Sequence, residues 1–154
     1  MTPTVIKNTI LGALSGIGAF IATALGGWDM ALQALLAVMV IDIITGLMVA
    51  GVWKKSGKTE TGAIDSHAMQ KGLCRKFVMI LIVYGSFLID KSTGMSGILR
   101  TGVILFFTGN EGISIVENAG LMGVPMPAII KNAFEQLRAK GEKKDEPKDD
   151  DEVK

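Results

Sequence analysis

Three carboxylates stand where water is scarce. Asp42 is the only charged residue between positions 30 and 53, and Glu111 and Glu117 interrupt the otherwise apolar stretch 101–122. On insertion scales a carboxylate at the bilayer centre costs ~3 kcal/mol, so three facing lipid would cost roughly 9 kcal/mol, a large part of a typical folding stability. They must face protein or water. The chemistry open to them is proton or cation binding, hydrogen bonding between helices, or lining an aqueous path. At helical spacing Asp42 shares a face with Thr45, Gly46, Val49 and Ala50, a carboxylate beside a hydroxyl and a groove of small residues. Thr101, Thr108, Glu111 and Asn118 make a second stripe, with Ser114 at its margin. Asp42, Thr45, Thr108, Glu111, Ser114, Glu117 and Asn118 are therefore the candidate pore or polar-seam residues. Two plainer readings stand beside that one: a protonated Asp42 bonded to a neighbouring helix, and a segment 111–118 lying flat at the interface with its polar face up.

The elements that carry these groups read as an all-α integral membrane protein. The chain is 49% hydrophobic with a mean hydropathy of +0.41, more apolar than one soluble core of 154 residues requires. Residues 8–28 lack any charge and 30–53 contain only Asp42, so each meets the roughly 20 residues a spanning helix needs, with Trp28 and Trp53 closing the runs. Shorter apolar blocks at 77–89 and 101–118 make three to four spans in a transmembrane domain of residues 1–127. Lys7, the apolar run and Ala22-Thr23-Ala24 imitate a cleavable signal sequence, but the run continues past that point to Trp28, so a retained first span is expected. Gly123-Val124-Pro125-Met126-Pro127 stops any helix. A cytoplasmic amphipathic helix is expected over 128–140, with Ile129, Ile130, Ala133, Phe134 and Leu137 on one face, resting on the leaflet or packing on the bundle. Residues 141–154 are almost wholly charged and are expected to form a disordered tail.

A net charge of +1 hides an uneven distribution. Lys54, Lys55, Lys58, Lys71, Arg75 and Lys76 crowd the segment between the second and third runs, whereas Gly26-Gly27-Trp28-Asp29 has no Lys or Arg. The positive-inside rule then sets the topology: the basic segment, the amino terminus and the carboxy terminus in the cytoplasm, and the turn at 26–29 outside. With three spans the amino terminus would be outside, or one block would lie in the interface. On the first helix Gly12, Ser15, Gly16 and Ala19 leave one face nearly free of bulk, and Gly46 and Ala50 do so on the second. In lipid, close packing and interhelical hydrogen bonds drive association, so these six residues form a candidate oligomerisation face; packing within one subunit is the alternative.

Catalysis finds no support in the inventory. His67 is the sole histidine, no phosphate-binding fingerprint is present, and no aromatic-rich basic surface suits nucleic acid. Neither metal nor cofactor is expected. Cys74 is alone and cannot form an internal disulfide.

Three pieces of the chain resemble the phage holin family that includes the clostridial toxin-secretion and lysis holins. They are Gly26-Gly27-Trp28-Asp29 leading to Val40-Ile41-Asp42-Ile43-Ile44-Thr45-Gly46, then Lys71-Gly72-Leu73-Cys74-Arg75-Lys76, and Asn110-Glu111-Gly112-Ile113-Ser114-Ile115-Val116-Glu117-Asn118 before the proline pair. The resemblance implies a homo-oligomer of the bacterial cytoplasmic membrane whose lesions release an endolysin, or a toxin, and time host-cell lysis. Its implied partners are membrane lipids, further copies of itself, the endolysin and an antiholin; an antiholin from an internal start is not favoured, because the next methionine is Met30. A non-lytic small ion channel and a membrane accessory or scaffold subunit are the competing functions.

Overall fold

The computed structural model describes residues 2–59 and 61–143, so most of the expected charged tail, residues 144–154, lies outside the described residues. All regular structure among the described residues is helical: α1 (Pro3–Ala24), α2 (Met30–Met48) continuing as a π-helical turn (Val49–Trp53), α3 (Ser66–Thr93), α4 (Ile98–Leu121) and α5 (Ala128–Lys143). Three helices are long and apolar enough to cross a membrane: Thr4–Ala24, Met30–Trp53 and Ser66–Thr93. α4 has the length, but Arg100, Glu111, Glu117 and two asparagines keep it out of that class.

Caps explain the boundaries. The Asp29 carboxylate accepts the Leu32 N–H at 2.8 Å to start α2, and Asp65 accepts the Ala68 N–H at 2.7 Å to start α3. The third helix thus begins eleven residues before the expected block at 77, and Lys71, Arg75 and Lys76 lie on its first turns instead of in a loop. α3 ends at Gly94, whose φ of +73° suits a residue without a Cβ. Gly97 caps α4 without a side chain, and the cap comes from the preceding helix: Asp90 accepts the N–H groups of Leu99 at 3.0 Å and Arg100 at 2.7 Å. The 54–65 connection is folded on itself, with Ser56 N–H bonded to the Gly62 carbonyl and Gly62 pressed against the Lys54 carbonyl.

α4 is the hub on which α2, α3 and α5 pack. One half of the bundle is filled by Leu32, Leu35 and Met39 of α2, Met79 and Val83 of α3 and Ile104 of α4, with Leu25 at the foot of α1. Phe77, Val78, Leu81 and Ile82 on α3 and Val40, Ile41 and Ile44 on α2 point outward, as a lipid-facing surface requires. α5 returns antiparallel along α4: Phe134 lies over Gly112, and a Cβ at Gly109 would fall 2.5 Å from the Phe134 carbonyl and the Arg138 nitrogen. Of the two placements open to this helix, packing on the bundle is the one observed, and it continues through Gly141–Lys143. α1 behaves differently. Among the described residues none of its apolar stretch is buried, and no other helix comes within 4 Å of a Cβ built at Gly12 or Gly16.

Candidate functional site

Lys76 projects inward from α3 and joins the two buried carboxylates. Its Nζ donates to Asp42 Oδ2 at 2.8 Å and to Glu111 Oε2, so one ammonium serves acids from α2 and α4. Asn118 extends the cluster by donating from Nδ2 to Asp42 Oδ1 and to Thr45 Oγ1, each at 3.1 Å, and Thr45 in turn donates to the Ile41 carbonyl at 2.9 Å. Asp42 and Glu111 are 6% and 4% exposed, so the pairing with Lys76 is what makes their burial tolerable.

The expected seam therefore divides. Asp42, Thr45, Glu111 and Asn118 meet in one network; Thr108 is buried with its hydroxyl oxygen unbonded among the described residues; Ser114 is half-buried; Glu117 is exposed. The small-residue assignments divide too. Gly46 faces Asn118 of α4, with a built Cβ 3.8 Å from its Nδ2, and Ala50 of the π-helical turn is buried, so both are used inside the chain instead of on a free face. Gly12 and Gly16 stay uncovered. Lys76, read from the sequence as a topology-setting cation, is the central ion-pair partner, whereas Lys54, Lys55, Lys58, Lys71 and Arg75 are exposed.

A second polar node closes the opposite end. Arg100, 6% exposed, donates from Nε to the Leu25 carbonyl at 2.6 Å, from one terminal nitrogen to Asp29 Oδ2 at 2.5 Å and from the other to the Gly27 carbonyl at 3.3 Å. It ties the α1–α2 turn to the start of α4, while Asp90 holds its backbone. Gly26 has to be glycine, since its φ is +90° and a Cβ would meet Phe87 at 2.7 Å and Arg100 at 2.8 Å. Along α2 the thirteen residues from Asp29 to Asp42 span about 20 Å. The Lys76 cluster and the Arg100 node are therefore separated by about 20 Å along the bundle. Arg100 carries a signal in the sequence, being the only basic residue between Lys91 and Lys131. Lys76 carries none, because its neighbours Lys71 and Arg75 make it look like one more loop cation.

Burial pushes the Asp29 carboxyl up, but the Arg100 hydrogen bond and charge and the Leu32 and Ala31 N–H groups outweigh it and hold the pKa below the usual carboxylate value. A depressed folded-state pKa contributes stability that is present above the unfolded pKa of about 4 and is lost as pH falls through the folded value. We expect melting in detergent to be insensitive to this pair near neutrality. Below pH about 4 the wild type should lose more of its melting temperature than Asp29→Asn does; parallel profiles would show that the pair contributes nothing.

A cavity of about 350 Å³ adjoins the Lys76 cluster between α2 and α3, with Glu117, Asn118 and Leu121 of α4 beside it and the 54–65 connection across its end. Among the described residues no group of three or more His, Cys, Asp or Glu could hold a metal ion.

These features define a helical membrane protein with charge paired inside its bundle. The chain belongs to the bacteriophage holin family, whose family model matches residues 19–139. It is 33% identical to a probable holin of Bacillus phage phi105, over 77% of this chain and 82% of that protein. It is also 35% identical to an uncharacterized protein of Halalkalibacterium halodurans, over 79% and 88% of the two chains, and 31% identical to one of Listeria monocytogenes, over 88% and 91%. No solved structure matches it.

Proposed function

We propose that the protein is a holin that accumulates in the bacterial cytoplasmic membrane and then oligomerises into lesions through which an endolysin, or a toxin, leaves the cell. The observation that carries this reading is the family match across residues 19–139, joined to a likeness to a probable holin over most of both chains. It is a function without catalysis. The charge arrangement suggests how one chain can be harmless alone. With Lys76 bonded to Asp42 and Glu111, the two buried carboxylates are paired inside the bundle, while the outward faces of α2 and α3 carry Val40, Ile41, Ile44, Phe77, Val78, Leu81 and Ile82. Opening that cluster costs about 3–5 kcal/mol unless water or another subunit replaces the lost partner. A lesion supplies both, with Asp42, Glu111 and Glu117 turned toward water and the Thr108 hydroxyl toward a neighbouring copy. Because several copies must meet, onset depends steeply on copy number.

α1 is the contact we assign to the first association of copies, because its small-residue face is uncovered in the single chain. Gly12→Leu combined with Gly16→Leu should insert normally but delay or abolish lysis at matched membrane abundance. Unchanged onset of lysis at equal abundance would remove α1 from the assembly.

We read the orientation from the exposed basic residues Lys54, Lys55, Lys58, Lys71 and Arg75, which by the positive-inside rule favour a cytoplasmic α2–α3 connection. In a Cys74→Ser background, an impermeant thiol reagent added outside intact cells should label Met95→Cys and spare Lys58→Cys. The reverse pattern before lysis begins would invert the topology.

A further inference from the structure

The cavity beside the Lys76 cluster is built more deliberately than a packing gap. Its apolar wall comes from Ile43 and Leu47 of α2, Ala68, Met69 and Leu73 of α3 and Leu121 of α4. Its end is closed by the folded 54–65 connection, where Ile64 seats against Gly51, a built Cβ there lying 3.3 Å from the Ile64 Cδ1. The π-helical turn Val49–Trp53, a form of helix concentrated at functional sites, carries Ala50 into the same wall.

The charges on the lining are unbalanced. Asp42, Asp65 and Glu117 face Lys58 and Lys76, and Glu111, just behind, claims Lys76 as well. Asp65 is occupied as the cap of α3. Glu117 forms no ion pair among the described residues, and the amide oxygen of buried Asn118 accepts no hydrogen bond there. The cavity therefore offers a carboxylate and a neighbouring amide oxygen as free acceptors; Lys58, exposed on the connection, likewise forms no ion pair among the described residues. Two free acceptors suit a donor-bearing head group, and the apolar wall disfavours a small hydrated metal ion. A volume of about 350 Å³ equals that of roughly twelve waters, at about 30 Å³ each, and suits a short apolar stem with one charged end.

We propose that this cavity binds a primary alkylammonium group, with the ammonium donating to Glu117 and the Asn118 amide oxygen and the stem lying along Ile43, Leu47, Met69 and Leu73. The same chemistry can come from a free amine or from the head group of an aminophospholipid.

Calorimetric titration of full-length protein in phosphatidylcholine nanodiscs tests the assignment without any need for lysis, so its failure is separate from failure of the holin reading. Hexylammonium should bind saturably, one per chain, whereas hexanol and hexanoate should give only the signal of empty discs. Glu117→Gln should weaken hexylammonium about tenfold or more, the loss expected for a hydrogen bond to a charged group. Ala68→Phe should abolish binding by filling the cavity while leaving helix content unchanged. Adding phosphatidylethanolamine to the discs identifies the source: a weakened apparent affinity assigns the site to the lipid head group, and an unchanged one assigns it to a soluble amine. Hexylammonium heat no greater than that of empty discs, equal binding by Glu117→Gln and wild type, or equal binding of hexanol would overturn the proposal.

Discussion

Lys76→Met should destabilise the folded chain by about 3–5 kcal/mol, the cost of leaving partners of a buried ion pair without their counter-charge. Two carboxylates depend on this one ammonium, Asp42 from α2 and Glu111 from α4, so its removal leaves like charges facing each other in a low-dielectric interior. The effect should appear as a large fall in melting temperature in detergent and in the amount of protein that accumulates in the membrane. The mechanism also predicts its own rescue. Adding Asp42→Asn and Glu111→Gln to Lys76→Met removes every formal charge from the cluster at nearly constant volume, and apolar or neutral replacements of complete buried ion clusters are often neutral or stabilising. The triple variant should therefore recover most of the lost stability. A Lys76→Met protein that melts like the wild type, or a triple variant no better than the single one, would mean that the cluster does not hold the bundle together.

Glu111 separates the closed form from the lesion. Glu111→Gln retains shape and hydrogen bonding to Lys76 but cannot ionise, while Glu111→Leu removes both and makes α4 more comfortable in lipid. A lesion with a hydrated, ionised wall predicts that both variants insert and form crosslinkable oligomers, yet lyse late or not at all, with leucine the more severe. Lysis on schedule by the glutamine variant, with loss of oligomers in the leucine variant, would reduce Glu111 to hydrogen-bonded glue. Normal lysis and normal oligomers in the leucine variant at matched abundance would remove Glu111 from the mechanism altogether.

Run length and the closing tryptophans made the first two helices readable, since 8–28 and 30–53 fall close to α1 and to α2 with its π turn. The third was read short. Its apolar block begins only at Phe77, whereas the helix starts at the Asp65 cap and carries Lys71, Arg75 and Lys76 on its opening turns. The polar stripe of α4 was legible from spacing, because Glu111 and Asn118 recur at helical intervals. Its counter-charge was not, because Lys76 is 34 residues from Asp42 and 35 from Glu111, and local periodicity carries no information about pairing across such distances. The same limit explains the small residues. Gly12 and Gly16 show the same pattern as Gly46 and Ala50, yet the first pair is uncovered and the second lies against or near α4; only the neighbouring helix, not the spacing, decides between those uses. Arg100 and Asp90 belong to one node because the α3–α4 turn is tight, with Asp90 reaching across it to the first turn of α4.

The most direct test of a lesion-forming role is conditional expression of the full chain in a bacterium that also makes a cytoplasmic endolysin lacking an export signal, with membrane potential and endolysin in the medium followed together. Lesion formation predicts a quiet period, then an abrupt loss of potential accompanied by release of the enzyme and lysis. Loss of potential with the endolysin retained inside would contradict the account and identify a selective channel, and neither event at full membrane abundance would contradict any permeabilising role.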